Sequence, residues 1–350
     1  MDIPEEITDD EDFLELITIV HIPRLPKTYK QRPDNFRIWN DTQFLQRFRL
    51  SKSIIYIPEG NHALTPDDMV FVTLRYLATG SFLQVIGDVQ GMDKGTASRA
   101  VSKVIKSLAV HFKELIKMPE NGEERTAIRQ EFFNIARFPR CIGALACTHI
   151  KIKSPGGADP ENYRNRKGFF SYNVQVICDA TLKIQNIVCR WPGASHDANI
   201  FANSRVRALF ETGHFGDSLL VADSGYGIKP YLITPLSRPE TQSQHLFNES
   251  QIRTRNPVER CFGVWKRRFP ILALGIRVAK EKIEPVVVAT AALHNLAIIM
   301  KDPQPAINNE IEAAVEFINN FDIVPVPVGG QDASNNRTRL LLINYFQDLL

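Results

Sequence analysis

The chain has 350 residues and a formal net charge of +3, with 44% hydrophobic and 23% charged side chains. Those are ordinary globular values, and they exclude collagen-like, coiled-coil and wholly disordered chains. No apolar run is expected to reach the ~20 residues that span a bilayer, so no membrane partner is expected.

Residues 1–35 read as a tail. Its first fifteen residues hold eight acids and no Lys or Arg, the opposite of a secretory leader. The rest of the chain then has 42 basic against 31 acidic residues, a net of +11. A basic body behind an acidic tail suggests a polyanion partner, although many soluble proteins carry such an imbalance without one.

A helical region is expected over 36–138. Asn40 or Asp41 caps a short helix, and Thr65-Pro66-Asp67-Asp68 supplies a cap, a first-turn Pro and first-turn acids. A helix from there stops near Gly80, a second covers Phe82–Val89, and Gly91-Met92-Asp93 turns into a third, Lys94 to about Lys106. Two helices joined by a short Gly-containing turn, about 65–107, form a helix-turn-helix pattern. Lys94, Thr96, Ser98, Arg99 and Lys103 would then face DNA. The same pattern also fits a plain helical bundle with a solvated polar face. Phe112 to Phe138 is expected to continue helical.

From Cys141 the period changes from helix to strand. Cys141–Cys147 reads as a buried strand, Ser171–Asp179 alternates, and Leu182–Arg190 is a third β-rich run. A helix follows from Asp197 to Leu209, then a short strand, Leu219–Ala222. Asn256-Pro257-Val258-Glu259 matches a capping box, so a helix is expected from Asn256 to Phe269. Glu284–Met300 is apolar enough to be buried. The last residues, 303–350, form a helical extension around a Val-Pro-Val-Pro-Val-Gly-Gly linker. The class is α/β, with a sheet-bearing domain at 139–302. Five cysteines, at 141, 147, 178, 189 and 261, contain no Cys-x-x-Cys pair. They suit reduced thiols in nucleus or cytoplasm rather than a zinc site.

Strand-end carboxylates are the first chemical candidates, because α/β folds bind ligands at the carboxyl edge of the sheet. Asp223, Asp179 and Asp197 qualify, although each could equally cap a turn or a helix. Glu259 stands among Arg253, Arg255, Arg260, Lys266 and Arg267, a setting that suits a phosphodiester site. No glycine-rich segment matches a phosphate loop, so no nucleotide cofactor is implied. His294, in an apolar helix, reads as a core residue.

Gly143-Ala-Leu-Ala-Cys-Thr-His-Ile, Trp191-Pro-Gly-Ala-Ser-His-Asp-Ala, Val221-Ala-Asp-Ser-Gly-Tyr and Asn256-Pro-Val-Glu-Arg-Cys-Phe-Gly carry a resemblance. Asn165-Arg-Lys-Gly-Phe-Phe-Ser-Tyr-Asn and Leu293-His-Asn-Leu extend it. In order, these segments resemble the DDE-type transposase domain of the PIF/Harbinger superfamily and its transposase-derived nucleases. The resemblance implies an RNase H-like fold, DNA as partner, and two Mg²⁺ or Mn²⁺ ions held by an Asp-Asp-Glu triad. Asp223 falls on the second acid, Glu259 on the third, and Asp197 on an additional acid in the metal shell. His149 and His196 adjoin that site. A nuclear location, a Myb-like helper protein and a homo-oligomer are also in keeping with it.

The first acid is missing, because its position holds Ala146. One departure in an otherwise intact set reads as a single recent or engineered change, with loss in a repurposed DNA-binding protein as the alternative. Nuclease activity of this chain is therefore expected to be absent. Ala146, Asp197, Asp223 and Glu259 are expected to converge at one sheet edge.

Overall fold

The computed structural model describes residues 33–55, 64–157, 159–306, 308–319 and 337–350. The acidic tail, except its last three residues, and the Val-Pro linker lie outside them. Five short to medium helices come first: α1 Asn35–Ile38, α2 Asp41–Phe48, α3 Pro66–Thr79, α4 Leu83–Val89 and α5 Lys94–His111. Asn40 and Thr65 cap α2 and α3 through capping boxes closed by Gln43 and Asp68. Asp93 caps α5, its carboxylate accepting from the Thr96 backbone N–H at 3.0 Å. Gly87 lets α4 approach the next turn, because a Cβ there would stand 2.6 Å from the Met92 carbonyl oxygen. Phe36, Phe44, Phe48 and Phe71 pack ring against ring beneath these helices.

The expected helix through Phe112–Phe138 is interrupted. A single turn ends at Leu115, and α6 spans only Gly122–Ala136, with Asn121 capping it through the Glu124 N–H. Five strands follow: β1 Cys141–Lys151, β2 Ser171–Cys178, β3 Ile184–Pro192, β4 Leu219–Val221 and β5 Leu232–Ile233. Their order is β3-β2-β1-β4-β5. β1, β2 and β3 pair antiparallel in series, whereas β4 runs parallel to β1 and β5 parallel to β4.

Between β3 and β4 the chain forms two helices, α7 Asp197–Ala202 and α8 Arg205–Glu211, not one. Ser204 breaks the run by capping α8 through the Arg207 N–H. After β5 comes α9, Gln242–Arg268, then α10 Ile271–Leu274, α11 Ile283–Ile299, α12 Asn309–Asn319 and α13 Arg337–Gln347. The expected start of α9 at Asn256 is wrong, because the helix already begins at Gln242. Thr241 is the cap, closed by Gln244, and Pro257 sits inside a 27-residue helix. Glu259 is therefore a mid-helix side chain and satisfies no helix end.

β1 is covered on both faces. Ala144, Ala146 and Ile150 share a core with Val258, Phe262 and Trp265 of α9 and with α11. Leu145 faces the opposite layer, with Phe201, Phe210 and Tyr226. The segment Lys280–Ile299 is long and apolar enough to cross a membrane, contrary to the sequence reading, but 61% of its most apolar stretch is buried in this core. The first core also takes in Phe44, Phe71 and Ile105, so the N-terminal helices share it with the sheet.

Candidate functional site

The parallel pairing of β1 and β4 builds the centre of the site. Ala144 pairs with Val221 near the end of β4, and two residues further along each chain stand Ala146 and Asp223. Both line a cleft of about 830 Å³, together with Asp197 and Glu259. The four positions expected to converge thus share one cleft.

Each carboxylate is held differently. Asp197 opens α7, but it caps nothing. Its Oδ1 accepts from Asn173 Nδ2 at 2.7 Å, and the same amide nitrogen donates to the Ser195 carbonyl at 2.8 Å. Burial raises the pKa of Asp197, the neighbouring Asp223 charge adds to this, and the Asn173 hydrogen bond opposes it. Asp223 Oδ1 accepts from the Gly225 N–H at 2.8 Å, which shapes the turn after β4. Glu259 Oε1 accepts from Arg255 Nη1 at 2.7 Å, one helical turn away.

Asp179 stands apart from them. Its Oδ1 accepts from Thr181 N, Thr181 Oγ1 and Lys183 N, so it closes the β2–β3 turn. His149 Nδ1 lies 2.9 Å from Ser171 Oγ, and burial with nearby Lys266 depresses its pKa to about 3. His196 lies at the mouth, bonded to Arg166. His294 is fully buried, with Nε2 2.9 Å from the Leu182 carbonyl, as a core residue should be.

Several basic positions expected on DNA are differently engaged. Lys266 is fully buried and cannot reach a phosphate. Its Nζ donates to Thr148 Oγ1 at 2.6 Å and to Asn319 Oδ1 at 2.7 Å. Arg255 is tied to Glu259, Arg253 to Glu249 and Arg267 to Glu312. Arg260 is exposed on α9. Residues that the sequence does not single out also line the cleft: Arg164, Arg166, Asn173 and Asn319. Asn165-Arg166-Lys167 belongs to a matching segment, and that is the only sequence signal for Arg166.

The donor set can be weighed against a divalent cation. Hard cations prefer carboxylate and amide oxygens, and Asp197, Asp223, Glu259 and the unpartnered Oδ1 of buried Asn173 are of that kind. In number the set falls short. Among the described residues no three His, Cys, Asp or Glu side chains are gathered closely enough to hold an ion.

The match to known proteins agrees with this geometry. Residues 145–295 match the family described as DDE superfamily endonuclease. HARBI1 of Homo sapiens, named as a candidate nuclease, is 30% identical over 241 residues, covering 68% of this chain and 69% of its own. The chain belongs to the Harbinger transposase-derived family of DDE nucleases. HARBI1 of Mus musculus is 28% identical over 305 residues, 85% of both chains. Protein ALP1-like of Arabidopsis thaliana is 26% identical over 269 residues, 72% of this chain and 65% of its own. No solved structure matches significantly. The family match begins one residue before Ala146 and ends at Asn295, so it takes in Ala146, Asp197, Asp223 and Glu259.

Lys266 is a buried cation that forms no ion pair among the described residues, and burial lowers its pKa from 10.5 to about 7. Glu259 opposes that shift and Lys167 adds to it. The unfolded chain therefore binds one more proton than the folded chain between about pH 7 and 10.5, and stability contributed at this position rises with pH. The full span is on the order of 5 kcal/mol. Urea unfolding of the unaltered chain and of Lys266→Met at pH 7.5, 8.5 and 9.5 checks this. Relative to Lys266→Met, the unaltered chain should gain up to about 1.4 kcal/mol per pH unit. A constant difference across the three pH values contradicts it.

Proposed function

We propose that the chain carries a DNA phosphodiester-hydrolysis site of the DDE kind that is silenced at Ala146. The observation that carries this reading is the placement of a methyl group beside Asp223 in a cleft shared with Asp197 and Glu259. A divalent ion supplies charge stabilisation and activates water for phosphodiester hydrolysis when bound. Asp197, Asp223 and Glu259 would hold it only with a further carboxylate at position 146, since as they stand they are not gathered closely enough to hold an ion. Asn173 orients Asp197, and Arg255 holds Glu259 toward the cleft. Ala146 gives neither a ligand nor the negative charge that two close cations need.

Mn²⁺ titration followed by electron paramagnetic resonance tests this site directly. Ala146→Asp should bind Mn²⁺ at least about tenfold more tightly than the unaltered chain, because a ligand and a charge are added at once. Equal affinities would place the site elsewhere.

The same reading makes α4 and α5 a helix-turn-helix, with an RNase H-like order for the sheet behind it. Lys94, Arg99 and Lys103 are exposed on α5, while Ala97, Ala100 and Val101 are buried, which supports one face for packing and one for DNA. Thr96 and Ser98 are half-buried, and Thr96 Oγ1 is bonded to Asp93 and Arg99. Replacing Arg99 and Lys103 with Ala should reduce the slope of log K against log salt by ~0.9 for each phosphate no longer neutralised. An unchanged slope in a binding titration returns α5 to a packing role alone. A nuclear location, a Myb-like helper and self-association accompany this reading.

A further inference from the structure

One cation at the cleft mouth forms no ion pair with the cleft carboxylates among the described residues, although its charge favours the ionised form of Asp197. Arg166 lies in the loop between the turn Pro160–Tyr163 and β2, and its Nη2 donates to His196 Nδ1 at 3.2 Å. A guanidinium has no acceptor, so Nδ1 must be the bare ring nitrogen and the proton resides on Nε2. His196 immediately precedes Asp197, at the start of α7, and both Arg166 and His196 line the cleft. The other two cleft arginines are occupied, Arg164 by Glu161 and Arg255 by Glu259. Arg166 is exposed and makes no ion pair among the described residues.

We infer that Arg166 and His196 form a clamp for one backbone phosphate of bound DNA, beside the Asp197 side of the cleft. This deepens the proposed function and rests on it. A guanidinium presents five N–H groups in a rigid plane suited to phosphate oxygens. One of them is spent on the imidazole, which fixes the plane of the remaining four. The Nε2–H of His196 adds a further donor on the same side of the cleft. The charge lies on Arg166, and His196 contributes orientation and a neutral hydrogen bond. That division makes the two roles separable by experiment.

The test uses the full chain and a labelled DNA duplex, with affinity measured by fluorescence anisotropy across a series of salt concentrations. Arg166→Ala should lower the slope of log K against log salt by ~0.9, the signature of one phosphate no longer neutralised. Arg166→Lys keeps the charge but not the fork, so the slope should stay while affinity falls by roughly tenfold. His196→Ala should also leave the slope unchanged and weaken binding. The variant lacking both side chains should lose less than the sum of the two single losses, because part of the histidine's effect runs through the arginine it orients. Both side chains are exposed, so folding is not at stake. An unchanged slope for Arg166→Ala, or fully additive losses in the double variant, overturns the clamp while leaving DNA binding in place. Failure of the unaltered chain to bind DNA at any salt concentration overturns the proposed function, and the clamp with it.

Discussion

Arg268→Ala is expected to destabilise the fold by about 3–5 kcal/mol, the cost of leaving a buried charge without its partner. Arg268 ends α9, and its side chain and that of Asp302 are 2% and 1% exposed. Its Nη1 donates to Asp302 Oδ2 at 2.9 Å and to the Arg49 carbonyl at 2.7 Å, and Nη2 donates to the Pro303 carbonyl at 3.1 Å. Without the guanidinium, the Asp302 carboxylate keeps, among the described residues, the Ser51 N–H at 3.3 Å. The same group joins the end of α9 to the segment after α2 and to the chain after α11. Removing it should loosen the helix that positions Glu259.

Urea unfolding provides the measurement. The midpoint should fall with little change in slope, since the surface exposed on unfolding is nearly the same. Replacing both partners with apolar residues, Arg268→Met with Asp302→Leu, should recover most of the stability, because no buried charge is then left unpaired. A single variant within about 1 kcal/mol of the unaltered chain would show that solvent reaches this pair.

The parts of the fold that can be read from sequence are those whose signals are local. Thr65-Pro66-Asp67-Asp68 carries its own cap, and the structure forms that capping box. Ser171–Cys178 alternates, and its two faces enter two different cores, with Val174 in one and Ile177 in the other. Asp223 follows an apolar run and stands at the end of β4. What fails is arbitration between competing local signals. Asn256-Pro257 imitates a helix start, yet tertiary packing of Phe247, Val258 and Trp265 carries α9 straight through it. β5 has only two residues and exists because β4 offers it an edge.

The candidate site divides the same way. Asp197, Asp223, Glu259 and Ala146 are legible because each lies in a segment with a distinctive pattern. Lys266 misleads, because a lysine in a basic run gives no sign of being buried two helical turns beyond Glu259. Arg166 and His196 are thirty residues apart and meet only through the loop before β2 and the start of α7. Alternation puts Asn173 on the correct side of its strand, but nothing local reveals that Asp197 is its partner.

Under the proposed function, one missing carboxylate at position 146 separates this cleft from a working DDE nuclease site. Nicking of supercoiled plasmid bearing candidate terminal repeats, in Mg²⁺ or Mn²⁺, measures it most directly. The unaltered chain should leave the plasmid supercoiled. Ala146→Asp should nick it at a rate at least about 100-fold higher, since it restores both a ligand and a charge. Adding Glu259→Gln to that variant, which keeps the shape of residue 259 and removes its charge, should return nicking to background. Metal-dependent nicking by the unaltered chain would contradict the claim, as would an Ala146→Asp protein that binds DNA and never cuts it.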